Sequence, residues 1–170
     1  GTGIGKTFAY LVPAFLSGGK IIISTATKNL QDQLFTKDIP MIRDALKVPV
    51  SLAMLKGRSN YLCHLRLENA MIEGAFMTKE DVTYLHLVNQ HAKHSEDGDR
   101  AELETIPESS SIWPQVTSTK ENCLGQDCSF YKECFVMNAR KKALAADVTI
   151  VNHHLFFADL NMKEEGISEL

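Results

Sequence analysis

The sequence predicts an α/β domain built on a parallel sheet and interrupted by a mainly helical, loop-rich insertion. Three observations lead there. The short apolar runs in "KIIIS" and "DVTIVNHH" have the continuous pattern of strands buried on both faces. Segments with helical apolar spacing alternate with strand candidates, as in βαβ units. Over residues 57–144 that alternation gives way to helices and polar loops, and it resumes only at residues 145–170.

The chain opens on "GTGIGKT". Gly5, Lys6 and Thr7 fill the last three places of the phosphate-loop pattern G-x-x-x-x-G-K-[ST], whose first place falls one residue before Gly1. Glycines at 1, 3 and 5 let the backbone curl so that its N–H groups face phosphate oxygens. Gly1, Thr2, Gly3, Ile4, Gly5, Lys6 and Thr7 are therefore the candidate ATP and Mg²⁺ site. Lys6 would reach the β and γ phosphates and the Thr7 hydroxyl would hold Mg²⁺, which makes these two the candidate catalytic residues. The plainer alternative is a glycine-rich turn before a helix.

"KTFAYLVPAFL" reads as that helix, its N-terminal dipole facing the phosphates, with Pro13 expected to kink or shorten it. A turn at residues 17–19 leads to a strand over 21–23. "KNLQDQLFTKDIPMIRDAL" places Leu30, Leu34 and Phe35 at helical spacing; Pro40 is expected to break it, and "MIRDAL" to resume it. "VPVSLAML" is the next strand.

In the insertion, residues 61–74 read as helix. "TKEDVTYLHLVNQHAKH" reads as another, with Thr78 as N-cap and Asp81 three places on, a capping box. A polar stretch rich in Ser, Glu and Pro follows as a long loop with one turn of helix. A helix near "FVMNARKKALAA" precedes the returning strand. Its Arg140, Lys141 and Lys142 read as a solvated face, although a few such residues suffice for a phosphate-binding groove. His86, His91 and His94 read as surface histidines, and His153 and His154 as packing beside the strand.

With 170 residues, 44% apolar and 23% charged, the composition is globular. A net charge of −3 argues against a protein coated in positive charge. No apolar run is long enough to span a bilayer, and no signal-peptide pattern opens the sequence, so a cytoplasmic protein without membrane contact is expected.

The four cysteines raise the sharpest chemical question. Cys63 is followed after 59 residues by Cys123, then after four by Cys128 and after five by Cys134. Disulfides fit poorly with the compartment of a phosphate-loop protein. Unrelated core thiols fit poorly with the polar surroundings of the last three. A tetrahedral zinc site draws its ligands into tighter pairs than these, whereas an iron–sulfur cube suits wider gaps, so the spacing leans to a cluster and leaves zinc open. Two of the helices of the insertion have little apolar surface to bury without a metal, so metal binding is expected to be coupled to its folding.

"GTGIGKT", "STATKNLQDQL", "LKGRSNYLC", the Cys-x4-Cys-x5-Cys group and "VNHHLFFADL" occur in this order. Together they resemble the iron–sulfur-containing superfamily 2 DNA helicases related to XPD, in the bacterial DinG/YoaA branch. The resemblance spans nearly the whole chain and is weakest over residues 75–111. It implies a partial RecA-like P-loop sheet: residues 1–56 and 145–170 from the first motor domain, and residues 57–144 as an iron–sulfur insertion. It implies a [4Fe–4S] cluster on Cys63, Cys123, Cys128 and Cys134, and ATP with Mg²⁺ at Lys6 and Thr7. Thr25 and Thr27 would grip the backbone of single-stranded DNA, or cap the next helix, or both. Arg58 would contact DNA or brace the cluster loop.

The implied parent is a monomeric bacterial cytoplasmic helicase that moves 5′ to 3′ on single-stranded or forked DNA during repair or replication, with protein partners that the sequence does not name. The rival is a zinc-stapled nucleic-acid-binding module on a nucleotide switch, without unwinding. No apolar strand ends in the Asp-Glu that would support Mg²⁺: "DVTIVNHH" ends in Asn-His-His, and Asp159, Glu164 and Glu165 follow no strand. The expectation is thus a segment of a longer chain, inactive as an ATPase by itself.

Overall fold

The computed structural model describes residues 4–73 and 78–152, with side chains from residue 9 onward. By internal contacts the chain divides into two compact units, Gly57–Asn138 and the residues up to Lys56 and from Ala139 on.

The first helix, α1, spans Ile4–Leu16 and runs through Pro13 for three more residues. The expected shortening does not occur. Pro13 lies in the last turn, where only a little helix follows the missing donor. Strand β1 spans Ile21–Thr25, two residues beyond the expected end. Helix α2 spans Lys28–Gln33, and the chain stays helical through a wide π turn, Leu34–Asp38, into α3, Ile39–Leu46. Pro40 therefore breaks nothing. It sits in the first turn of α3, and the π turn ahead of it loosens the backbone where a proline ring would clash. Strand β2, Leu52–Leu55, follows.

In the second unit, Tyr61 and Leu62 are extended, not helical as expected. They form isolated antiparallel bridges to Asp99 and Thr117. The Leu62 N–H donates to Gly98 O and the Cys63 N–H to Val116 O, each at 2.8 Å, so helix α4 starts only at His64 and runs to Glu73. Helix α5, Lys79–Ala92, opens with the capping box read from the sequence. Helix α6, Trp113–Val116, is the one turn expected in the long loop.

These helices bury Leu67, Ala70, Leu85, Val88, Ile112, Trp113 and Val116. The Trp113 indole N–H reaches Pro107 O at 2.8 Å, and the Arg100 guanidinium lies over its ring. The unit thus has an apolar core of its own, more than the expectation that two of its helices had little to bury would allow. His86 and His94 are exposed as expected. His91 is half-buried instead, its Nε2 2.8 Å from the Glu102 carboxylate. His153 and His154 lie outside the described residues.

Helix α7, Phe135–Ala145, crosses the boundary between the units, and β3, Val148–Asn152, completes the sheet. All three strands are parallel in the order β1-β3-β2, with Val148 level with both Ile21 and Leu52. The central β3 is buried from Val148 to Val151, as its unbroken apolar run requires. Leu11 and Phe15 of α1 pack with Ile23, Leu34, Ile39, Ile42, Val148 and Ile150. Each such side chain contributes about 1.5–3 kcal/mol by leaving water.

The Asp147 carboxylate accepts from the Ser51 N–H and hydroxyl at 2.8 Å each, and the Asp147 N–H donates back to Ser51 Oγ at 3.0 Å. This pins the register where β2 and β3 begin, and it holds the Asp147 carboxyl below its ordinary range. No helix among the described residues is long and apolar enough to cross a membrane.

Two measurements test this packing. A Cβ on Gly98 would lie 2.3 Å from the Phe135 ring at a φ of +61°, whereas one on Gly125, at +57°, meets nothing within 4 Å. Gly98→Ala should cost the overpacking penalty of about 1–3 kcal/mol on top of the backbone strain, and Gly125→Ala only the strain, about 1–2 kcal/mol. Urea unfolding of the two variants should separate them in that order.

The second concerns Asp81, whose carboxylate accepts from the Ser111 hydroxyl at 2.8 Å and from the Thr78 hydroxyl and N–H. Ser111 first, then Thr78, hold its pKa below the ordinary value. Its stabilisation is therefore full above the unfolded value near pH 4 and lost as pH falls through the lower folded value. Acid unfolding followed by circular dichroism should show Asp81→Asn less stable at pH 7, the gap closing below about pH 4.

Candidate functional site

The cysteine site is built from two separated stretches of the second unit. Cys63 stands where the extended Tyr61–Leu62 segment turns into α4. The other three lie on a chain that folds into successive 3₁₀ turns, Gly125–Asp127 and Tyr131–Glu133. Each turn fills one of the gaps of four and five residues. Cys128 N–H donates to Gly125 O, and Tyr131 N–H to Cys128 O, before Cys134 N–H closes on Tyr131 O.

All four thiols are free and half-buried. Burial raises the Cys63 pKa, and the N–H of Arg66 opposes it; Cys134 and, more weakly, Cys128 raise it further. Cys123 is met by Arg58, whose Nη1 donates to its Sγ at 3.2 Å. Among the described residues no three His, Cys, Asp or Glu side chains are placed so that they could hold a metal ion.

The remaining candidates belong to the first unit. Gly1, Thr2 and Gly3 lie outside the described residues. Ile4, Gly5, Lys6 and Thr7 form the first turn of α1, which thus begins earlier than the sequence suggested and takes in Gly5. Thr25, at the end of β1, is buried, and its hydroxyl donates to Thr27 O at 3.3 Å. Thr27 is exposed; its Oγ1 accepts the Leu30 N–H at 3.2 Å and caps α2. The two threonines are brought together at one turn.

Two residues beside them were missed by sequence reasoning. Gln31 is fully buried, and its Nε2 donates to Leu55 O at 3.0 Å and Ile150 O at 3.1 Å, tying α2 to the end of β2 and the middle of β3. Lys56, only 5% exposed, brings its ammonium within 3.2 Å of the Asp32 carboxylate. A polar pair amid the apolar positions of α2 was the available signal, but it is equally the pattern of a solvent face.

No protein-family profile matches the chain. Over all 170 residues it is 50% identical to the ATP-dependent DNA helicase YoaA of Escherichia coli and 52% identical to that of Haemophilus influenzae, covering 27% of each. It is 35% identical to the ATP-dependent helicase DinG of Mycobacterium tuberculosis, with 94% of the chain and 27% of that protein aligned. The chain thus spans about a quarter of the length of the curated relatives it matches.

Thr27 offers a test at this site. Removing its cap by Thr27→Ala should lower the stability of the first unit by about 1 kcal/mol, and Thr27→Ser should restore most of it. Thermal unfolding checks both. Equal stability of all three would show that the hydroxyl is not a cap in solution.

Proposed function

Since the chain belongs to the DinG/YoaA type of helicase, of which it is a segment, we propose that the whole protein is an ATP-dependent DNA helicase. It would move 5′ to 3′ along single-stranded DNA and act on forked DNA in repair or replication. The observation that carries this reading is the identity of 50% across the full chain with a protein named as such a helicase.

In this reading residues up to 56 and from 145 belong to a RecA-like motor domain, and residues 57–144 form its iron–sulfur insertion. Lys6 would neutralise charge on the β and γ phosphates, and Thr7 would hold Mg²⁺. Phosphoryl transfer asks little more of a protein than such positioning and electrostatics. Thr27, exposed at the turn before α2, would meet the DNA backbone, with the buried Thr25 bracing the turn beneath it, and phosphate contacts serve a motor that must pass over any sequence.

Cys63, Cys123, Cys128 and Cys134 would hold a [4Fe–4S] cluster. The donor set fits: four free, half-buried thiols are soft ligands of the kind that iron–sulfur clusters and zinc take. A cluster spreads its ligands over four irons, so it asks less crowding of the thiols than one zinc ion does. When bound, it supplies a rigid link among the four thiolates. The Arg58 N–H aimed at Cys123 would offset part of their negative charge.

The test uses the full-length protein. Phosphate release stimulated by single-stranded DNA should fall by about 100-fold or more in Lys6→Ala, in keeping with loss of one charge-stabilising group. Forks with a 5′ single-stranded arm should be unwound and those with only a 3′ arm should not. DNA affinity should fall steeply with salt and vary little with sequence. Tight DNA binding with no unwinding, and zinc in place of iron, would favour a nucleic-acid-binding module instead.

A further inference from the structure

Three aromatic rings that no motif singles out stand close to cysteines in the sequence. His64 follows Cys63, Phe130 stands two residues after Cys128, and Phe135 follows Cys134. They converge: the His64 ring lies 4.6 Å from the Phe135 ring and 5.8 Å from the Phe130 ring, centroid to centroid, each tilted by 31°. Both separations are those of stacked aromatic pairs.

The Phe135 side of the stack is fixed from below. Its residue is buried, and its ring rests on Gly98 so closely that no Cβ could stand there. Gly98 O in turn accepts the Leu62 N–H, one residue before Cys63. A continuous path therefore runs from Leu62 through Gly98 to Phe135 and back through His64 to Cys63. Side chains adjacent in sequence to Cys63 and Cys134 are packed together by contacts that involve no sulfur.

We propose that His64, packed against Phe130 and Phe135, is a positioning residue that holds Cys63 beside the stretch carrying Cys128 and Cys134 before any metal arrives. Its use for cluster assembly rests on the reading given above. The gain is one of preorganisation: backbone segments already held together need less ordering when a cluster is loaded.

The experiment reads proximity in the metal-free protein, so it does not depend on the cluster. In the full chain carrying Cys123→Ser and Cys128→Ser, a short bifunctional thiol reagent links Cys63 to Cys134 under anaerobic, metal-free conditions. His64→Ala should slow the linking roughly three- to tenfold, the factor that an aromatic stack is worth. His64→Phe, which keeps a ring, should restore the rate to within about twofold. Circular dichroism must show native helix content in each; should His64→Ala lose it, His64→Leu, which keeps bulk without a ring, takes its place and should show the same slowing. Equal linking rates with and without the ring would overturn the proposal, as would a His64→Phe protein as slow as His64→Ala. Iron and sulfide assays on the otherwise unsubstituted chain run alongside. Fast linking in a chain that binds no iron would sink the cluster reading while upholding the role of His64.

Discussion

The second unit depends on one crossing of the chain. At Leu62 and Cys63 the backbone is pulled straight by bonds to Gly98 and Val116, partners 36 and 53 residues away. Closing such loops costs conformational entropy, but the cost rises only slowly with length. A core with Trp113, Ile112 and Val116 at its centre offsets it. Once the crossing is made, α4 must begin at His64, and Cys63 must stand at its start. The ring of His64 then meets Phe130 and Phe135, on the stretch that carries Cys128 and Cys134. Without the two bonds, residues 61–63 would be free to join the helix, as their sequence alone suggests, and Cys63 would turn with it.

The first unit solves a related problem with different means. Strands β2 and β3 are neighbours although 92 residues lie between them. Apolar burial of β3 gives the pairing its energy but tolerates slippage. The reciprocal bonds of Ser51 and Asp147 fix the register at one end, and the Gln31 amide bonds both strands farther along. These are local devices of specificity laid over a non-specific driving force. Thr25 and Thr27 inherit their positions from them, since α2 is held by Gln31.

Much of this was legible because it is local. The capping box at Thr78 and Asp81, the Thr27 cap and the buried run of β3 follow from spacing within one element, and the parallel sense of the sheet from the alternation of helices and strands. Five features were not legible. Pro13 and Pro40 are helix breakers by composition, yet the chain stays helical through both. Tyr61 and Leu62 look helical and are extended because of partners far along the chain. The apolar core of the insertion was underestimated because Ile112, Trp113 and Val116 lie in a stretch that reads as polar loop. The Cys63 and Cys134 neighbours, His64 and Phe135, carry no motif; only their meeting in space marks them. The strand order β1-β3-β2, likewise, is a property of which faces bury best together and not of any segment.

The central claim is that four thiols drawn from both ends of the insertion hold one iron–sulfur cluster. Native mass spectrometry of the anaerobically purified chain tests it most directly. The expected result is a single added mass equal to four irons and four sulfides, lost when Cys63 alone is replaced by serine although Cys123, Cys128 and Cys134 remain. An added mass equal to one zinc ion, or a four-iron species that survives Cys63→Ser, would contradict it.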